Sequence, residues 1–260
     1  MARLVRSPEL EQILAFCAED PVERVFLEDV ARRGLGRFAG LEERSRLEAL
    51  CHVGANLVPS GRGVRRFADV AEGEPRMIVG EEGAVGELWE ALRARLPPPL
   101  DDRPGQPVYV LEERPEPGRS GLRAASLDDL EILVPAAAQA YLEEVGVDAC
   151  ERDPALFEWR TRAQIEQGRS WIWREDGAIL FKAEASAWTP RAVQLQQVWV
   201  EPELRGRGYG RRALGDLCRL LLERTPVVCL FVRPENEPAI RLYESIGMRR
   251  TITYRSLIFG

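Results

Sequence analysis

From Val198 to Glu223 the chain reads VWVEPELRGRGYGRRALGDLCRLLLE. An apolar strand-like run ends in a loop holding Gly206, Gly208 and Gly210, interleaved with Arg205, Arg207, Arg211 and Arg212, and an apolar helix follows. That order commits this part of the chain to layered α/β packing. The helix carries Leu214, Leu217, Cys218 and Leu221 at spacings of three and four, a stripe that must bury against a sheet. A loop that only reverses the chain needs far less glycine. At a helix N-terminus the first amides have no partner inside the helix, and the macrodipole adds positive potential. Glycines there let several amides converge on a phosphate, since a Cβ at Gly208 or Gly210 would stand where phosphate oxygens sit. Arg205, Arg207 and Arg211 add charge around the same anion. The stretch reads as a pyrophosphate cradle.

The spacing Arg205-x-x-Gly208-x-Gly210 after a strand resembles the acetyl-CoA loop of the GNAT family of N-acetyltransferases, whose pattern is [QR]-x-x-G-x-[GA]. A P-loop would need a Lys-Ser/Thr pair that is not here. Further on, NEPAIRLYESIGM (Asn236 to Met248) resembles the same family's N-x-x-A-x-x-L-Y-x-x-x-G-[FM] signature. Together the two motifs carry the resemblance over roughly residues 121–260.

Composition fits a soluble globular protein: 45% hydrophobic and 30% charged residues in 260. No apolar run is long enough to span a bilayer, and the N-terminus turns acidic before a secretory segment can form, so a cytoplasmic protein is expected. Five scattered cysteines fit reduced thiols, and with His52 the only histidine no metal site is expected. Residues 1–120 carry 17 arginines against 22 acidic residues. Neither half has the broad positive charge that a nucleic-acid partner requires.

RPEPGRSG (Arg114 to Gly121) reads as a linker and divides the chain into units 1–117 and 118–260. In the second unit, Ser126 with Asp129 starts a helix to about Val145, and Asp153-Pro154 starts another that closes near Gly168. SWIWRE and AILFKAEASAW flank the tight-turn pair Asp176-Gly177, and AVQLQQVWV follows as a third strand. VVCLFV, bounded by prolines, reads as a strand buried on both faces. A short helix ends at Gly247, and Thr251–Phe259 forms a last strand. The order β-α-α-β-β-β-α-β-α-β predicts an α/β (α+β) fold, a mixed central sheet with helices on both faces. In the first unit helices are expected at Pro8–Glu19, Val22–Arg33 and Ala84–Arg95, and strands at Leu50–Val58, Arg76–Val79 and Pro107–Leu111.

The resemblance implies an acyl-CoA N-acyltransferase (GNAT) fold in which two parallel strands splay to admit the pantetheine arm of acetyl-CoA, the co-substrate. It implies backbone contacts to that arm at Val198 and Val200, an oxyanion-stabilising N–H near Val198, and pyrophosphate contacts from Arg205, Gly206, Arg207, Gly208, Gly210 and Arg211. It further implies that Asn236 touches the arm or its neighbouring backbone, and that Tyr243 protonates the leaving thiolate. Asn236 can equally serve as a helix N-cap. The family often uses a glutamate as general base. Here Glu184 is the only carboxylate on its strand and shares a face with Lys182, so base and structural ion pair both stay open. The third strand offers Gln194, Gln196 and Gln197 instead of a glutamate.

Two-domain GNAT proteins with a decayed N-terminal copy make the first unit resemble either such a remnant without cofactor or an accessory domain. The expected function is transfer of acetyl from acetyl-CoA to a primary amine of a small molecule or protein. The alternatives are a two-copy transferase of a larger acyl group, similar to mycothiol synthase, and a non-catalytic acyl-CoA-binding sensor.

Overall fold

The computed structural model describes residues 2–146 and 148–259. Its first half runs β1 (Arg3–Arg6), α1 (Leu10–Glu19), α2 (Val25–Arg32), β2 (Arg37–Glu43), β3 (Arg46–Val53), β4 (Asn56–Gly61), a 3-10 turn at Val64–Asp69, β5 (Met77–Glu81), α3 (Glu82–Leu92) and β6 (Asp101–Leu111). The second half runs β7 (Leu122–Ala124), α4 (Leu130–Val145), α5 (Ala149–Arg152), α6 (Pro154–Glu166), β8 (Ser170–Glu175), β9 (Ala178–Trp188), β10 (Val193–Val200), α7 (Tyr209–Leu221), β11 (Val228–Phe231), α8 (Glu237–Ser245) and β12 (Arg249–Ile258).

Local signals explain most second-half boundaries. Ser126 and Asp129 form the expected capping box ahead of α4, and the Asp153 side chain accepts from the Leu156 N–H at 3.0 Å to open α6. On α7 the expected stripe of Leu214, Leu217, Cys218 and Leu221 is buried. In β11, Val228 and Leu230 enter one core and Cys229 the other, as a strand covered on both faces requires. The one-turn helix α5 was not expected.

The first half corrects two readings. The single strand expected at Leu50–Val58 is a hairpin, because Gly54 and Ala55 turn the chain between β3 and β4. β1 and β2 were also missed, and β6 begins six residues before the expected Pro107, at Asp101. Prolines at 104 and 107 argue against a central strand. Over that stretch, however, β6 pairs only with β12, and its pairing with β11 begins at Val108.

All twelve strands of the described residues form one mixed sheet in the order β1-β2-β3-β4-β5-β12-β6-β11-β10-β9-β8-β7. The order is a palindrome about the β12–β6 pair. Each half contributes an antiparallel run, then a parallel pair (β4 with β5, β10 with β11), and completes its sheet with the last strand of the other half. Apart from the one-turn helix α5, which only the second half has, the order of helices and strands repeats as well, with one further difference. Where the second half has α7, the first has only the 3-10 turn. Before that turn, Gly61-Arg62-Gly63 repeats Gly206-Arg207-Gly208 with positive φ at all four glycines. The fold is thus two tandem GNAT-like halves with exchanged terminal strands.

Candidate active-site cleft

β10 and β11 pair at only two positions, Val193 with Val228 and Gln194 with Cys229, and then part. A bulge in β10 provides the reason. Gln196 faces Glu184 on β9, but the next partner of Lys182 is Trp199, so three steps on β10 match two on β9. Gln197 takes up the extra residue with φ at +53°. A bulge bends its strand and increases the local twist, which carries the far end of β10 away from β11. From Leu195 to Val200, the β11-facing edge of β10 has no strand partner among the described residues.

The glycine-arginine loop closes the far end of this cleft. A 3-10 turn at Pro202–Leu204 leads to Gly206 (φ +75°) and Gly208 (φ +83°), which is the N-cap of α7. A Cβ on either glycine would meet nothing within 4 Å, so positive φ and not crowding demands glycine there. Gly210 differs, since its Cβ would come within 3.2 Å of both Leu242 and Val200. Its glycine lets α7 approach α8 and β10. The first α-helical bond of α7 is from Arg212 N–H to the Gly208 carbonyl at 3.1 Å, which leaves the N–H groups of Tyr209, Gly210 and Arg211 without helical partners.

The arginines divide by role. Arg207 and Arg211 are exposed beside these amides. Arg205 is instead held by Glu143 of α4, at 2.7 Å and 2.9 Å to the two carboxylate oxygens, and by the Val200 carbonyl at 3.0 Å. Arg212 lies 4.7 Å over the Trp173 ring and donates to the Gly118 carbonyl at 3.0 Å, fixing the linker. The linker is irregular yet docked: Asp216 of α7 accepts from the Gly118 and Ser120 N–H groups, each at 2.7 Å.

On α8, Asn236 is the N-cap and accepts from the Ala239 N–H at 3.2 Å. Tyr243 is 6% exposed and packs 5.9 Å from the Tyr109 ring. Burial, helped by the negative charge of Glu144, raises its pKa well above the usual phenol value and keeps the hydroxyl protonated. On β9, Lys182 (0% exposed) and Glu184 (8% exposed) form an ion pair at 2.7 Å, and Gln196 donates to the other Glu184 oxygen at 3.5 Å. The same-face neighbours Lys182 and Glu184 read from the sequence are thus joined as an ion pair. Trp199 buries its ring under α4, and its indole N–H reaches Glu143 at 3.4 Å.

Sequence reasoning missed Glu143, Glu144 and Arg233. Glu144 accepts from the Gln197 amide at 2.6 Å, and Arg233, just past β11, donates to the Glu144 backbone carbonyl. The end of α4 therefore bridges both arms of the cleft. A signal was available: Glu143 and Glu144 sit in the last turn of a helix, where the macrodipole disfavours negative charge. Acidic residues in that position point to partners elsewhere in the fold.

Residues 134–248 match the family model of the acetyltransferase (GNAT) family, and residues 36–133 match a domain of unknown function (DUF4081). Over 61 residues the chain is 41% identical to an N-alpha-acetyltransferase RimI of Mycobacterium tuberculosis, covering 24% of this chain and 37% of that protein. The chain spans between 16% and 38% of the length of the curated relatives it matches. Among solved structures, a GNAT-family acetyltransferase from Colwellia psychrerythraea aligns over 99% of this chain and 100% of its own, with a TM-score of 0.58 at 11% identity. A tandem GNAT protein from the clavulanic acid biosynthesis pathway aligns over 99% of both chains, with a TM-score of 0.56 at 13% identity. At such identities these likenesses concern the fold, and the tandem protein matches the duplicated layout seen here. No helix of the described residues is long and apolar enough to cross a membrane. The second half of this chain, over residues 134–248, is a member of the acetyltransferase (GNAT) family.

Proposed function

We propose that this protein moves the acetyl group of acetyl-CoA directly to a primary amine of a small molecule or protein. The observation that carries the reading is the parting of β10 from β11 in line with the glycine loop that opens α7. The unpaired edge of β10 around Val198 and Val200 offers backbone groups to an extended amide-bearing arm, as an added strand would, with an N–H near Val198 facing the developing oxyanion. The N–H groups that open α7, with Gly206, Gly208 and Gly210 around them and Arg207 and Arg211 beside them, receive the pyrophosphate. Arg205 adds to that charge once it leaves Glu143. Asn236 has its amide nitrogen left for the arm, because its oxygen caps α8. Tyr243, protonated and buried beside Tyr109, gives its proton to the departing thiolate. Glu184, paired with Lys182, orders the acceptor side of β9.

The chain divides at 117/118 in this reading, and the first unit takes no acyl-CoA. Two features support that. Its turn after Gly63 is six residues of 3-10 helix. Its parallel strands pair at two positions, as β10 and β11 do, but they stay close beyond them, with the Cβ position of Gly80 only 3.0 Å from the Pro59 carbonyl.

Calorimetric titration of acetyl-CoA into wild type, Gly208→Ala and Gly208→Glu tests the cradle. Alanine costs about 1 kcal/mol of backbone strain at this φ and sets a Cβ where the phosphate oxygens would sit, so binding is expected to weaken by about tenfold. Glutamate places a carbon chain and a negative charge at the phosphate position, and binding is expected to fall by about 100-fold or more. Absence of binding by the wild type rules out the reading.

A further inference from the structure

We propose that Glu144, at the end of α4, is the general base of this active site, and that the acceptor is an amine which binds as its ammonium ion. The proposal rests on the acetyltransferase reading and concerns the face of the cleft that would receive the acceptor.

Placement comes first. The 2.6 Å hydrogen bond from Gln197 fixes the Glu144 carboxylate at the bulge residue where β10 turns away from β11. In the proposed reading that fork is where the thioester carbonyl lies. Arg233 holds the same turn of α4 from the opposite arm of the cleft, through the Glu144 backbone carbonyl, and leaves the carboxylate itself free.

Charge accounting comes second. Three carboxylates close to it have a cation: Glu184 has Lys182 at 2.7 Å, Glu143 has Arg205 at 2.7 Å, and Asp101 has Arg103 at 2.6 Å. Glu144 makes no ion pair among the described residues, and its side-chain hydrogen bond comes from a neutral amide, with Lys182 and Arg103 acting on it only from beyond ion-pair distance. The Glu144 charge therefore stands at the β10 bulge without an ion-pair partner. An incoming ammonium ion supplies what is missing, and a neutral or anionic acceptor does not.

The electrostatics agree. Glu144 is an exposed residue at the end of α4, with much of the protein nearby on its inner side. Desolvation on that side, with added repulsion from Glu184, raises its pKa above the usual carboxylate value, while Gln197, Lys182 and Arg103 oppose the rise. Water at the mouth tempers that shift and also gives the proton a way out. The charge of Glu144 in turn helps keep Tyr243 protonated from across the cleft. The environment thus separates an acceptor and a donor of protons in one site, the arrangement acid–base catalysis requires.

The step balances as follows. The ammonium ion gives one proton to Glu144, which passes it to water. The freed nitrogen attacks the thioester carbon, forming C–N as C–S breaks. The departing thiolate takes the Tyr243 proton, and the second nitrogen proton returns to the Tyr243 oxygen through water. The products are an amide, the CoA thiol and one released proton.

The test uses the full chain. Acetyl-CoA binding is measured first by calorimetry, and its absence would count against the acetyltransferase reading itself. Release of CoA thiol is then followed with spermidine, lysine amide and an alanine-initiated peptide as probe amines, across pH 6 to 9. In wild type, kcat/KM should rise on an acidic limb. Glu144→Gln should lose that limb and about 100-fold or more in kcat while acetyl-CoA binds within about twofold of wild type. Glu144→Ala should regain part of its rate with added imidazole, which a merely structural role would not predict. Three outcomes would overturn the proposal: a limb kept in Glu144→Gln, a limb lost in Glu184→Gln instead, or no turnover of any cationic probe by protein that binds acetyl-CoA.

Discussion

Asp129 shows at the scale of one residue how a short-range sequence signal acquires long-range value. Its carboxylate, 1% exposed, accepts the Ser126 N–H at 2.9 Å and so completes the capping box read from the sequence. It also receives both terminal nitrogens of Arg123, at 2.7 Å and 2.6 Å, which ties β7 to the start of α4. The Arg123 fork, followed by the Ser126 bonds, outweighs burial and holds the carboxyl well below the usual aspartate range. Asp129→Ala removes cap and counter-ion together and should cost about 2 kcal/mol, allowing for a half-exposed Arg123. Thermal unfolding should then shift down by roughly 4–8 °C. The depressed folded-state value means that this stabilisation is complete above the unfolded pKa near 4 and fades as pH falls through the folded one. The gap between wild type and variant should stay constant from pH 7 to about pH 4 and narrow below it.

At the scale of elements, the glycines of one loop serve two masters. Gly206 and Gly208 answer to backbone conformation, and the positive φ of each follows from the need to turn into a helix while presenting amides. Gly210 answers to helix packing, because Val200 and Leu242 lie 3.2 Å from where its Cβ would be. Gly210→Val should therefore overpack the α7–α8–β10 junction, lower stability by about 1–3 kcal/mol and weaken acetyl-CoA binding without altering any charge. A chemical-denaturation curve beside a calorimetric titration reads both effects. The sequence motif names all three glycines alike. Only the neighbours brought in by α8 and β10 separate them.

For the whole molecule, the exchange of β6 and β12 is the governing feature. In the proposed division at 117/118, residues 1–117 would lack β12 beside β5, and residues 118–260 would lack β6 between β11 and β12. Either piece alone exposes a long open sheet edge, a template for aggregation. Expressed separately, the two pieces should aggregate or stay unfolded by circular dichroism. Co-expressed, they should purify as a one-to-one complex with the spectrum of the intact chain. A stably folded, monomeric 118–260 would show that the exchange is dispensable.

What the sequence determined by itself is local: the helix starts at Ser126, Asp153 and Asn236, the apolar stripe of α7, the doubly buried β11 and the glycine loop. Each depends on contacts within a few residues, which spacing and caps express directly. The tertiary structure decided what depends on distant pairing. β6 looked like a poor central strand because of Pro104 and Pro107, until β12 became its sole partner over that stretch. The sequence left the first half open between a decayed copy and an accessory domain, because its Gly-Arg-Gly turn leads into a 3-10 turn instead of a helix with a readable stripe. Glu144 carried no motif, and it reaches the cleft only because α4 ends over the fork between β10 and β11. Local signals choose elements at low cost in chain entropy, whereas a site or a strand exchange exists only once distant segments have closed upon one another.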